Sequence, residues 1–145
     1  MVSTFVATLS SPCPAGVTQL GASCGGTSLQ AVTAPWAGAG YTSRGLGFAP
    51  NALVLAVTGL APTSVSLPSL LPQALPGCQL SAAPDVLSLL ANNGGEATFT
   101  FLLPNDPTIA GQTFDQQFIA FELDASLAIT SIASTNGLQA TVGAF

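Results

Sequence analysis

Lysine and histidine are absent from this chain, and Arg44 is its one basic side chain. Each absence closes a class of chemistry. Without imidazole or amine there is no general base poised near neutral pH, no Ser/His or Cys/His nucleophile and no imidazole metal ligand. A net charge of -5 with a single guanidinium repels a phosphate backbone, which excludes DNA and RNA as partners. Charged residues make up 5% of the chain against about 25% in an average soluble domain. Solvent-facing positions must therefore carry hydroxyls, amides, glycine and small apolar groups.

Long apolar runs are also missing, although 48% of the residues are apolar. Pro, Gly, Ser and Thr interrupt every run well short of the ~20 residues of a spanning helix, so no membrane span is expected. The longest run, Ala52 to Val57, is the length of a strand. The N-terminus lacks the basic stretch of a secretory leader. No Asn-x-Ser/Thr sequon occurs, so N-linked sugar is not expected. With no C-x-x-C spacing and no histidine, a zinc site lacks ligands, and neither cofactor nor metal is predicted.

What remains is the vocabulary of an extracellular β-module. At 145 residues the chain can bury a core of its own. Of its three cysteines, Cys13, Cys24 and Cys78, two should pair in an oxidising compartment and one is left over. Pairing Cys24 with Cys78 closes a loop of about 55 residues, worth roughly 4 kcal/mol in the chain-entropy description. Pairing Cys13 with Cys24 would staple only a local turn. The longer bridge is preferred, leaving Cys13 as a free or intermolecular thiol.

Strands and turns dominate the pattern. Short strands are expected near 17–20, 28–33 and 40–48, and Ala52 to Thr58 reads as a strand covered on both faces. Residues 60–77 place Pro62, Pro68, Pro72 and Pro76 between leucines. That spacing argues against a helix or central strand and predicts a crossing of a sheet edge or a cap on an open end. After the turn signal Asn92–Gly95, residues 96–103 alternate cleanly, with Ala97, Phe99, Phe101 and Leu103 on one face. Pro104–Pro107 opens one short helical turn near 105–111, with Asn105 or Asp106 as N-cap and Gly111 closing it. Strands at about 113–124, 126–133 and 138–143 complete the set, the last two joined through Asn136–Gly137. The fold class predicted is an all-β antiparallel sandwich, immunoglobulin-like or jelly-roll-like, over residues 15–145.

Four stretches, Gly21-Ala22-Ser23-Cys24, Pro76-Gly77-Cys78, Leu103-Pro104-Asn105-Asp106-Pro107 and Ser134-Thr135-Asn136-Gly137-Leu138, occur in an order and spacing that resembles an uncharacterised all-β module near the C-terminus of large secreted proteins of environmental bacteria. The likeness covers roughly residues 21–143 and is most specific from Pro104 to Phe114-Asp115-Gln116-Gln117. It implies secretion, an all-β fold and a Cys24–Cys78 bridge, and it carries no catalytic residues. The first twenty residues and Cys13 depart from it.

Few groups are left for chemistry. The acids are Asp85, Glu96, Asp106, Asp115, Glu122 and Asp124, and no feature selects a catalytic pair among them. Asp106 and Asp115 flank the helical turn, while Glu122 and Asp124 share a strand face by spacing, an arrangement compatible with weak calcium binding. Against that stands the plainer reading, in which Asp106 caps the turn and the others face water. Arg44 either grips a ligand beside Trp36 and Tyr41, the ring types that stack on sugars, or forms an ion pair that fixes a loop.

Residues 1–14 form an N-terminal strand and a proline-rich hinge. Residues 2–9 are expected either to pair within their own sandwich or to complete the sheet of a neighbouring copy; in the second case Val2, Thr4, Phe5, Val6, Ala7 and Leu9 make up the assembly strand, with Pro12 and Pro14 as a stiff, extended hinge. With so few charged gatekeepers on strand edges, self-association is physically easy. The chain is thus expected to be a non-catalytic, secreted structural protein: a homo-oligomeric or polymeric subunit of an extracellular filament, surface layer or matrix. A carbohydrate-binding or adhesive module, with a glycan partner at Trp36, Tyr41 and Arg44, is the alternative.

Overall fold

A computed structural model of the chain describes residues 14–144. The residues expected to form the assembly strand, Val2–Leu9, and Cys13 lie outside the described residues. Eleven strands run in the order β1 (Gly16–Leu20), β2 (Ser28–Ala31), β3 (Gly40–Leu46), β4 (Leu53–Gly59), β5 (Pro62–Ser66), β6 (Gln79–Ala82), β7 (Val86–Leu90), β8 (Ala97–Leu102), β9 (Thr113–Leu123), β10 (Ile129–Ser134) and β11 (Gly137–Thr141). One helical turn, α1 (Leu67–Leu70), follows β5, and a 3-10 turn at Pro107–Ile109 precedes β9.

The larger sheet has the order β1-β11-β9-β4-β7, with β10 also paired to β9. The smaller sheet is β2-β3-β8, and β5 pairs with β6 as a separate ribbon. Every pairing between these strands is antiparallel. The result is an antiparallel sandwich, as the strand pattern predicts, with one addition. The ribbon and α1 cover the second face of the larger sheet and make a third layer.

The alternation along β4 shows how two cores arise from one strand. Val54 and Ala56 face the smaller sheet and pack with Phe118, Ala120, Leu138, Leu29 and Phe48. Val57 points the other way, into a cluster with Leu67, Cys78, Leu80, Ile119 and Ile132. A strand that must satisfy both faces cannot alternate polar with apolar, which is why Leu53–Val57 reads as a continuous aliphatic run. Each such large side chain, fully buried, contributes roughly 1.5–3 kcal/mol. The Cys24–Cys78 disulfide is formed inside the second cluster and ties the cover to the loop after β1.

The proline-rich segment requires a correction. Rather than skirting a sheet edge or capping an end without helix, residues 62–77 lie across a face, with Leu67, Ala74 and the half-buried Leu71 and Leu75 turned inward. A helical turn forms because Pro68 sits at its first positions, where no intrahelical N–H is required. Strand β5, within the proline-rich segment, and strands β6 and β7 are additions to the expected set. β6 and β7 are short and lie on either side of Pro84, and their pairing is set by β5 and β4 rather than by alternation of their own.

A second correction concerns Asn136–Gly137. It is not a hairpin turn, since β10 and β11 lie along the same edge of β9. Ile119 faces Ser134 while Gln116 faces Leu138. Gln117 and Phe118 therefore oppose Thr135, Asn136 and Gly137, the extra residue of a β-bulge. Thr135 fills the break by accepting from Phe118 N–H through its hydroxyl at 3.0 Å, and its own N–H donates to Phe118 O at 3.0 Å. The helical turn before β9 matches its prediction: Asp106 is the N-cap, with Thr108 N–H donating to Oδ1 at 2.9 Å.

Candidate functional site

Two of the motif segments, Phe114–Gln117 and Ser134–Leu138, meet in a buried polar seam. Gln117 lies in β9 and projects toward the cover. Its amide donates to Gln79 O at 2.6 Å and Thr135 O at 2.8 Å, and its carbonyl oxygen accepts from Ser81 N–H at 2.9 Å. Gln116, one residue earlier, points to the opposite face and accepts from the Ser43 hydroxyl of the smaller sheet. Asn136, 4% exposed in the bulge, accepts from Leu29 N–H at 2.9 Å and donates to Leu29 O at 3.1 Å. That side chain completes the edge of β2 as a strand would. Three amides thus join three layers; Gln117 and Asn136 are well satisfied, while Gln116 Nε2 is buried without a hydrogen-bond partner among the described residues. The seam holds the layers in register.

The acids do not assemble. Among the described residues no three His, Cys, Asp or Glu groups lie close enough to hold a metal ion. Asp106 caps its turn, and the Thr108 N–H and hydroxyl hold its carboxyl below the usual range. Asp124 does not share a strand face with Glu122, because it lies past the end of β9. It accepts from Ser126 and Ala128 N–H in the turn that leads to β10. Asp85 accepts from Leu60 N–H. Asp115 is fully buried in the middle of the larger sheet, and burial raises its carboxyl, opposed by the Gln139 amide on β11. Neither Asp115 oxygen has a hydrogen bond of good geometry. Of the four carboxylates suggested for calcium, Asp106 and Asp124 are thus engaged in turns and Asp115 is enclosed, and among the described residues the four do not gather into a metal-binding group.

The Trp36–Tyr41–Arg44 platform is also corrected. Tyr41 and Arg44 are three residues apart on β3, and an odd separation on a strand places them on opposite faces. Tyr41 is 0% exposed, edge-on to Phe101 and Phe114 with ring centroids 5.7 and 5.4 Å away. Burial pushes its hydroxyl up to about 12, and the oxygen meets no hydrogen-bond partner among the described residues. Arg44 Nε lies 3.1 Å from Glu96 Oε2 on the outer face, the structural reading of this lone cation. Both side chains are more than a third exposed, so the pair stabilises little. Trp36 is half-buried and bridges to Gly143 through its backbone.

A different feature emerges at the far edge of the larger sheet. Among the described strands, β7 pairs only with β4, so its outer backbone groups form a free edge. Val86, Leu87 and Leu89 there are 56, 57 and 67% exposed. Beside this edge, between the sheet and its cover, lies a cleft of about 260 Å3 lined by Leu55, Leu70, Leu71, Leu87, Phe121 and other apolar side chains, with no polar group among them. Sequence reasoning missed this feature because it missed β7 itself. The run Val86-Leu87-Ser88-Leu89-Leu90, free of charge, was the available signal.

No described helix is long and apolar enough to cross a membrane. Comparison with known protein families, with characterised proteins and with solved structures returned no match.

Proposed function

We propose that this protein is a secreted, non-catalytic structural subunit of an extracellular filament, surface layer or matrix, assembled through strand pairing and apolar faces. The observation that carries the reading is the free edge of β7. Natural sheets blunt such edges with Lys, Pro, bulges or inward charges, because an exposed apolar edge templates another strand. Here none of these devices stands between Asp85 and Glu96, and Asp85 is engaged with Leu60. The dispersed acids and the absence of lysine and histidine from the sequence support a non-catalytic role. The Cys24–Cys78 disulfide supports an oxidising compartment, and the resemblance to a secreted module points the same way.

The carbohydrate-binding alternative relied on paired rings, and Tyr41 is interior. Sedimentation velocity and electron microscopy of the full chain over a concentration series test the assembly reading. Particles that grow with concentration are expected without any added glycan. A strict monomer up to millimolar concentration would overturn it.

A further inference from the structure

We propose that the free edge of β7 and the apolar cleft beside it are the acceptor for residues Val2–Leu9 of a second copy, joined head to tail. This rests on the assembly reading above and specifies its two complementary surfaces.

The chemistry of the two partners matches. Val2–Leu9 carries no charge, and Phe5, Ala7 and Leu9 recur at the spacing of one strand face. On β7, Leu87 and Leu89 form the corresponding row on the cleft side, since they pair with Val57 and Leu55 on that face. A strand added along β7 would bond to its free backbone groups and set alternate side chains beside or into the cleft. In strand addition, main-chain bonds supply affinity and side-chain pockets supply register. At about 260 Å3 the cleft falls below the roughly 300–1,000 Å3 of small-molecule sites, a size suited to a few side chains.

The other free edges fit less well. On β8 the Arg44–Glu96 pair flanks the entry, and the outward row includes Thr98 and Thr100. The outer edge of β1 adjoins the start of the described chain.

Geometry assigns the donor to another copy. Ala15 packs against Gly143, where the missing side chain leaves it room, and this holds the start of the described chain on the line of β1. A strand added outside β7 would lie five strand spacings away, about 24 Å. The six residues from Leu9 to Pro14 reach at most about 22 Å fully extended. The direct path is also blocked, because the smaller sheet covers one face and the ribbon with α1 covers the other. Donor root and acceptor therefore sit on opposite edges of one sheet. A contact between unlike surfaces of identical copies propagates as an open chain or closes as a ring.

Two full-length variants test the assignment. Phe5→Asp with Ala7→Asp disables the donor, and Leu87→Asp disables the acceptor at a position already half in solvent. Circular dichroism and thermal melting confirm that each is folded, and Leu89→Asp substitutes if Leu87→Asp is not. By sedimentation velocity, wild type is expected to assemble, and each variant alone to remain monomeric at concentrations at least 10-fold higher. Mixed together, they should form a 1:1 heterodimer and stop, because one supplies the donor and the other the acceptor. Wild type that assembles while the acceptor variants assemble equally well would overturn this acceptor and leave the structural role standing. Wild type that never assembles would overturn both.

Discussion

Replacing Tyr41 with Phe should stabilise this protein, contrary to the usual outcome of changing a fully buried residue. The ring is held edge-on by Phe101 and Phe114, and Phe keeps those contacts. The hydroxyl is enclosed without a hydrogen-bond partner among the described residues. A buried, unpartnered hydroxyl costs about 1–3 kcal/mol, so removing it should gain about 1 kcal/mol after allowing for the small void left behind. For a domain of this size that raises Tm by about 3–5 °C.

A second readout is the alkaline limb. Tyr41 ionises at 10.0 when unfolded and at about 12 when folded. Because the folded value is the higher, its contribution is fully present below pH 10 and is lost as pH rises from 10 through about 12. The full loss approaches about 3 kcal/mol. The chain is well suited to the measurement, since Tyr41 is the only tyrosine and no lysine titrates in that range. Absorbance of tyrosinate at 295 nm therefore follows one group, and denaturant melts at pH 9 and 11 follow its linkage. The Phe variant should show no such limb. If Tyr41→Phe instead loses more than about 1 kcal/mol, or if tyrosinate appears near pH 10 in the native protein, the hydroxyl has a partner or a solvent path and the reasoning fails.

Asn136→Ala should lose roughly 2–3 kcal/mol in urea melts, because both Leu29 backbone groups lose their partner at the edge of β2. A change under 0.5 kcal/mol would mean that the bulge does not join the sheets. Asp115 has a folded pKa raised by burial, so its own contribution to stability is fully present in acid and is lost as pH rises from the ordinary carboxylate value through the raised one, opposite in sign to that of Asp106. Asp115→Asn should remove that loss, as read from melts between pH 3 and 8, and a parallel profile would refute it. Gly45→Ala should cost about 1–3 kcal/mol, since an added methyl would meet the Phe118 and Phe48 rings at 2.6 and 2.7 Å. An unchanged melting temperature would show that the rings yield freely.

Part of this molecule was legible residue by residue. Period-two alternation marks β8, and the aliphatic run at Leu53–Val57 marks a strand between two layers. The Asp106 cap also follows from local chemistry, because Asp before Pro and Thr satisfies a helix start within two residues. The absence of lysine and histidine bounds the chemistry from composition alone. Other features depend on distant neighbours. Whether Pro62–Leu75 skirts or covers a sheet depends on Leu67 and Ala74 finding Val57 and Ile132, groups that no local rule brings together. Asn136-Gly137 has the composition of a hairpin turn, yet β9 offers a single long edge and converts it into a bulge. Trp36, Tyr41 and Arg44 form a cluster on paper because proximity in sequence ignores the alternation of side chains across a strand. The free edge of β7 follows from sheet order alone, since an edge is defined by the strand that is missing beside it. Local pattern thus determined most of the segments that are strands and the side-chain types the chain has to work with, while long-range pairing decided the remaining strands, which faces are buried and which edge is left open.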